Sequence, residues 1–147
     1  MKKYIGILIV VLGIIIDQVT KVLAYNNSVN LVIIPNFLNF TLVENRGAAF
    51  GIAQGANLVL AIVSASICLL ILGVIIYSIY KKEDISLAYY FILAGGIGNL
   101  IDRAFRGFVV DFIDTPFIAT FNIADSFIVV GAFWVLISEV LKAVFKK

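Results

Sequence analysis

The 147-residue chain contains no histidine and one cysteine. Without histidine, neither a Ser–His nucleophile pair nor a His-ligated zinc can be built. A single thiol cannot close an internal disulfide and supplies only one soft metal ligand. Cys68 lies in the apolar run from Ala65 to Leu72, where it reads as a small filler of a helix. No cofactor or metal is expected, nor is nucleic acid expected as a partner. The polar chemistry that remains is carboxylate, hydroxyl, amide, lysine and arginine.

What is abundant is apolar surface. Hydrophobic residues make up 63% of the chain, and the mean hydropathy is +1.12. A water-soluble domain this small could not bury so much, whereas a bilayer solvates the outer faces of its helices. Crossing roughly 30 Å of hydrocarbon takes about 20 helical residues. Four stretches are candidates, at about 4–24, 57–80, 85–101 and 124–145, with outer connections 25–56 and 102–121. The expected fold is therefore an all-α integral membrane protein with four transmembrane helices, forming one membrane-embedded domain over 1–147. The first stretch resembles a signal peptide, with Lys2 and Lys3 before it and Val22 and Ala24 as a weak cleavage pattern. Asp17 and Lys21 interrupt it, and it reads as an uncleaved helix.

Four spans place both termini on one side. That side would hold Lys2, Lys3, Lys81, Lys82, Lys142, Lys146 and Lys147, against Lys21, Arg46, Arg103 and Arg106 on the other. The bias puts both termini in the cytoplasm. Asp17, Glu44, Asp102, Asp111, Asp114 and Asp125 then gather at the outer boundary, leaving Glu83, Asp84 and Glu139 inside. In the first outer connection, Phe37-Leu-Asn-Phe-Thr-Leu-Val43 is rich in β-branched and aromatic residues. It suggests a short strand or hairpin, apolar enough to form a small sheet on the membrane surface or to pack as a plain loop.

Ionisable groups at the edge of a span require a partner or a purpose. Asp17 and Lys21, four apart, share a helix face and can form an anchoring ion pair or orient a substrate. Asn45-Arg-Gly-Ala-Ala-Phe50 sets an amide and a guanidinium beside small residues that admit another backbone; Gly47 and Gly51 give only a weak G-x-x-x-G match. Gly95 through Arg103 closes the third helix, bringing Asn99, Asp102 and Arg103 within about one turn, an arrangement suited to scaffold. Asp111 and Asp125 each sit in an apolar frame. Facing each other, they could not both ionise; one would hold a proton while the other activates water. The same residues also suit a proton relay in a small transporter.

Taken in order, five blocks carry a resemblance: Asp17-Gln-Val-Thr-Lys21, Asn45 through Phe50, Gly95 through Arg103, Val109-Val-Asp-Phe112 and Phe121-Asn-Ile-Ala-Asp125. Over essentially its whole length the chain resembles signal peptidase II, the lipoprotein signal peptidase family. The resemblance implies an aspartic endopeptidase of the bacterial cytoplasmic membrane with its active site near the outer face. Such an enzyme removes the signal peptide from diacylglyceryl-modified prolipoproteins, cutting just before the lipidated cysteine. It implies Asp111 and Asp125 as the catalytic pair. It also implies Asp17, Lys21, Asn45, Arg46, Asn99, Asp102, Arg103, Asn122 and Ala124 as residues that bind substrate or support the site. The expected partners are lipid-modified signal peptides and membrane lipids, and the expected state is a monomer. Only fourteen positions separate the two aspartates, so the 112–120 connection offers little material to cover the site.

Two other classes compete. A transporter would need a polar track to the cytoplasm, and the acidic residues crowd one side. A structural subunit would use the aspartates only to hold helices together. A G-x-G-D type protease is disfavoured because Gly96-Ile-Gly98 is followed by Asn99.

Overall fold

The computed structural model describes residues 2–47 and 56–145, so Ala48, Ala49, Phe50 and Gly51 of the small-residue block lie outside the described residues. In chain order the elements are α1 (Lys2–Asn26), β1 (Asn30–Ile34), β2 (Leu38–Asn45), α2 (Asn57–Lys81), α3 (Ala88–Phe105), β3 (Val109–Thr115), β4 (Ile118–Phe121) and α4 (Ile123–Val144).

Helices α1, α2 and α4 are long and apolar enough to cross a membrane. At 1.5 Å per residue each reaches about 33–38 Å, more than the hydrocarbon core. Their outward faces are leucine, isoleucine and valine, such as Leu58, Leu69 and Leu70 on α2 and Leu136 and Ile137 on α4.

The third helix differs from the expected 85–101 stretch in place and in character. It starts at Ala88 because residues 82–87 are used to end α2. Lys82 adopts a left-handed conformation (φ 59°), its N–H bonded to the Ile79 carbonyl, and the Glu83 N–H closes on Ser78. It runs on to Phe105, which moves Asp102 and Arg103 from the outer connection into the helix. An Asp102–Arg106 side-chain contact one turn apart supports that last turn. The Arg106 N–H bonded to the Asp102 carbonyl and Gly107 at φ 78° then end it. Helix α3 is not among the apolar spanning candidates. It packs against α1, α2 and α4, and Ala88, Tyr90, Leu93, Ala94, Gly95, Gly98, Asn99 and Asp102 are buried. A helix enclosed by its neighbours needs small and polar contact residues rather than a lipid-facing coat.

Close approach explains two of its glycines. A Cβ at Gly95 would collide with the Ala124 carbonyl oxygen, and one at Gly98 would lie 2.6 Å from the Asp17 carboxylate and 3.2 Å from the Ala124 Cβ. These contacts press α3 onto the start of α4 and the middle of α1.

The sheet is larger than the first connection alone suggests. Four antiparallel strands run in the order β1-β2-β3-β4, drawn equally from both connections. Phe37–Val43 is a turn followed by most of β2, and the 112–120 connection is the β3–β4 hairpin. The β2–β3 register pairs Val43 with Asp111 and Asn45 with Val109, making Asn45 a diagonal neighbour of Asp111 on one face. Leu31, Val32, Ile33 and Ile34 of β1 are all exposed, as are Phe37 and Phe117, whose rings meet edge-on at 6.2 Å.

Candidate active site

Two linked polar clusters occupy the end of the bundle where α1, α3, β3 and the start of α4 meet. The first is an ion cage around Lys21. Its Nζ lies 2.9 Å from Asp17 Oδ2, 3.0 Å from Asp102 Oδ2 and 2.9 Å from Asn99 Oδ1. Lys21, Asp17 and Asp102 are each 0% exposed. Arg106 contacts the second oxygen of Asp102, so two cations face two carboxylates and the cage is neutral. Buried ions are tolerated only when their remaining lone pairs are also met. Here Asp17 Oδ1 accepts the Ala124 N–H (2.9 Å) and Asp102 Oδ2 accepts the Val110 N–H (3.1 Å). Gln18 Nε2 donates to Asp17 Oδ2 and to the Gly98 carbonyl, both at 3.1 Å. The cage thus ties α1 to the first turn of α4 and α3 to β3, which is scaffold work. Asp102 makes its direct side-chain contacts with Lys21 and Arg106.

The second cluster holds Asp111 and Asp125 between three asparagines. Asp111 Oδ1 accepts from Asn122 Nδ2 (2.6 Å) and Oδ2 from Asn45 Nδ2 (2.8 Å). Asp125 Oδ1 accepts from Asn99 Nδ2 (2.7 Å) and Oδ2 from the Asn122 N–H (3.2 Å). Each amide is oriented by a group that can only donate. Lys21 takes Asn99 Oδ1, the Gly47 N–H takes Asn45 Oδ1 (3.0 Å), and the Asp125 N–H takes Asn122 Oδ1 (2.9 Å). Every amide nitrogen is therefore turned toward a carboxylate. Asn122 and Asp125 form a reciprocal capping box at the start of α4. That motif explains why the sequence spells Asn-x-x-Asp where strand β4 gives way to helix. Asp125 stands in the first helical turn, where the helix dipole favours negative charge.

Asp111 is 1% exposed. Burial, with the nearby Asp125 charge adding to it, pushes its carboxyl up to about 6 from 3.8, against the opposing hydrogen bonds from Asn45 and Asn122. A group poised there exchanges protons near neutral pH, and its partner lies one asparagine away.

Arg103 and Arg46 part company. The Arg103 guanidinium is within electrostatic reach of Asp125, Asp111 and Asp102, and its Nη2 approaches the Gly47 carbonyl at 3.4 Å. Arg46 points elsewhere, pairing with exposed Glu44 at 3.0 Å and stacking 5.4 Å from the Phe108 ring centre. Of the eleven site residues expected from the sequence, ten converge here and Arg46 does not. Two that sequence reasoning passed over, Gln18 and Arg106, complete the cage. The Asp102/Arg106 spacing of four was a signal for the second; nothing marked Gln18 beyond its place beside Asp17. Among the described residues, no group of three or more Asp, Glu or Cys is arranged to hold a metal.

Comparison with known proteins places this geometry in context. A family model described as signal peptidase (SPase) II matches residues 9–141. The lipoprotein signal peptidase of Caldanaerobacter subterraneus subsp. tengcongensis is 46% identical over 134 residues, covering 86% of this chain and 90% of the relative. That of Clostridium novyi is 42% identical over 136 residues, covering 85% and 90%. Two solved bacterial membrane enzymes, both determined by the in meso method, share the fold. One superposes with a TM-score of 0.85 at 35% identity, covering 97% of this chain and 91% of the other. The second gives 0.75 at 36% identity, covering 90% of each.

Proposed function

The chain belongs to the signal peptidase II family of membrane proteases, and from that premise we propose that it removes signal peptides from bacterial prolipoproteins by aspartic catalysis at Asp111 and Asp125. The observation that carries this reading is the pairing itself. Two carboxylates are held about one asparagine apart, one pushed up to about 6 and the other set in the first turn of a helix.

In the working state the pair shares one proton, held by Asp111. Asp125, with the dipole of α4 behind it, takes a proton from water as the water oxygen attacks the scissile carbonyl. Asp111 gives its proton to the carbonyl oxygen as the tetrahedral intermediate forms. Collapse breaks the C–N bond: the proton gained by Asp125 passes to the departing amine, and a hydroxyl proton of the intermediate returns to Asp111 as the new carboxyl forms. Arg103 orients the substrate backbone from the α3 side. The Lys21 cage holds Asn99, and through it Asp125, in register. No cofactor enters the scheme.

The setting follows from the same proposal. α3 serves as the fourth span, enclosed by the other three, and both termini face the cytoplasm. The whole chain acts as one membrane-embedded domain and works as a monomer. The exposed apolar β1 and the Phe37/Phe117 pair lie against the outer leaflet, so the sheet rests on the membrane beside the carboxylates. A substrate that is itself a membrane helix then enters sideways, its lipidated cysteine arriving at the boundary where water is available. Cleavage of purified precursors with and without the diacylglyceryl group, read by mass spectrometry, tests the assignment. The expected product begins at the lipidated cysteine and forms only from the modified precursor. Equal cutting of both precursors, or a cut elsewhere, would overturn the substrate assignment.

A further inference from the structure

At the end of the bundle remote from the carboxylates, the start of α1, the end of α2 and the α2–α3 connection enclose a pocket of about 230 Å³. One water needs only about 10–15 Å³ of such space, so the pocket is sized for a polar group of several heavy atoms. Its rim carries both signs of charge, with Lys3 and Lys82 alongside Glu83 and Asp84. Asp84 has an interaction of its own within the fold. The wall includes Tyr90 of α3, 2% exposed. The Tyr90 hydroxyl is buried and has no hydrogen-bond partner among the described residues. Gly6 clears room for that ring: a Cβ there would lie 2.5 Å from it. Lys82 is held on the rim by the left-handed cap that ends α2.

Buried hydroxyls are almost always satisfied, and one left over in a side chain that lines a cavity points to a missing partner. The neighbouring charges say which kind. Two lysines and a hydroxyl-bearing residue lining one pocket suit a phosphodiester, and a carboxylate on the same rim suits an amine a few bonds away. The pocket lies at the ends of α1 and α2, both long and apolar enough to cross a membrane, and the end of a span is where lipid headgroups are met.

We propose that this pocket is a binding site for the headgroup of an amine-bearing zwitterionic phospholipid. The phosphate sits on Lys3, Lys82 and the Tyr90 hydroxyl, and the ammonium sits on Glu83. The site is separate from the carboxylates and does not rest on the proposed peptidase activity. It makes the thermal stability of the protein depend on the surrounding lipid.

The test uses the purified full-length chain in detergent micelles, with its melting temperature followed as lipid is added. Four probes are compared: phosphatidylethanolamine, phosphatidylglycerol of the same acyl chains, phosphatidylcholine, and soluble phosphoethanolamine. Phosphatidylethanolamine should raise the wild-type melting temperature saturably and more than the other two lipids. Tyr90→Phe keeps the ring and deletes the hydroxyl. Without lipid it should be at least as stable as wild type, because an unsatisfied buried group is gone. Its apparent affinity for phosphatidylethanolamine should fall about tenfold or more, the loss of one hydrogen bond to a charged group. Glu83→Gln should erase the preference for the ethanolamine lipid over phosphatidylglycerol. Unchanged lipid response in Tyr90→Phe, or no saturable response in wild type, would sink the site. An equal response to soluble phosphoethanolamine would show that the pocket reads a free phosphoamine and not a lipid.

Discussion

Replacing Lys21 by methionine is the sharpest perturbation of the ion cage. The side chain is 0% exposed and serves three acceptors at 2.9–3.0 Å, so methionine fills similar volume but removes every one of those bonds. Arg106, which contacts Asp102 and not Asp17, would be the one cation left, and the cage would carry a net negative charge. Removing one partner of a buried ion pair costs about 3–5 kcal/mol, because the other charge is left uncompensated. For a chain of this length each kcal/mol moves Tm by about 2–4 °C, so the loss should be on the order of 10 °C. Adding Asp17→Asn to Lys21→Met restores neutrality while the Asn oxygen can still accept the Ala124 N–H. The double variant should be more stable than Lys21→Met alone by at least about 1 kcal/mol, a coupling visible in a double-mutant cycle of detergent unfolding. The reasoning fails if the two substitutions simply add, or if Lys21→Met shifts stability by less than about 0.5 kcal/mol.

Three further outcomes are expected. Gly98→Ala drives a Cβ to 2.6 Å from the Asp17 carboxylate and should cost about 1–3 kcal/mol, with activity falling alongside stability; an unchanged unfolding midpoint would contradict the close α1–α3 contact. Asn45→Ala removes a hydrogen bond that holds the Asp111 pKa down, so the limb of the kcat/KM–pH profile that reports Asp111 should move to higher pH. A shift to lower pH would show that this contact does not exist in the working enzyme. Because Asp111 is raised from 3.8 to about 6 in the folded chain, its neutral form is favoured by folding. That stability is complete below about pH 4 and is lost as pH rises through about 6, worth roughly 3 kcal/mol at 1.36 kcal/mol per unit. The slope of stability against pH between 4 and 7 should flatten in Asp111→Asn, whatever that variant's absolute stability; a slope equal to wild type would refute it.

How much of this was legible in advance depended on how local the signal was. The long apolar helices could be read because lipid demands unbroken runs, and α1, α2 and α4 end within one or two residues of the expected bounds. Helix α3 was harder. Glycines and polar residues inside it look like a helix ending, and only the packing of α1 and α4 against it explains why the helix continues through Asp102 and Arg103. The strands β3 and β4 were hidden for another reason. Val109-Val-Asp-Phe112 is too short and too charged to announce itself, and β2 supplies the pairing that makes it a strand. The site residues were visible as sparse polar positions in apolar frames. The division of labour among them was not, since it depends on which donor turns which amide. Arg46 shows the limit most clearly. It belongs to a site block by sequence, but Glu44 and Phe108 hold it away from the carboxylates.

The reading centres on two carboxylates acting as a pair. The most direct measurement is single-turnover cleavage of a diacylglyceryl-modified precursor by wild type, Asp111→Asn and Asp125→Asn, each first shown to be folded by its unfolding midpoint. Asparagine keeps the size but can neither accept nor donate the shuttled proton. Both variants should lose at least about a hundredfold in rate, as removal of a general acid or base does. A folded variant that cuts at near the wild-type rate would show that its aspartate is scaffold and that the pair is not the catalyst.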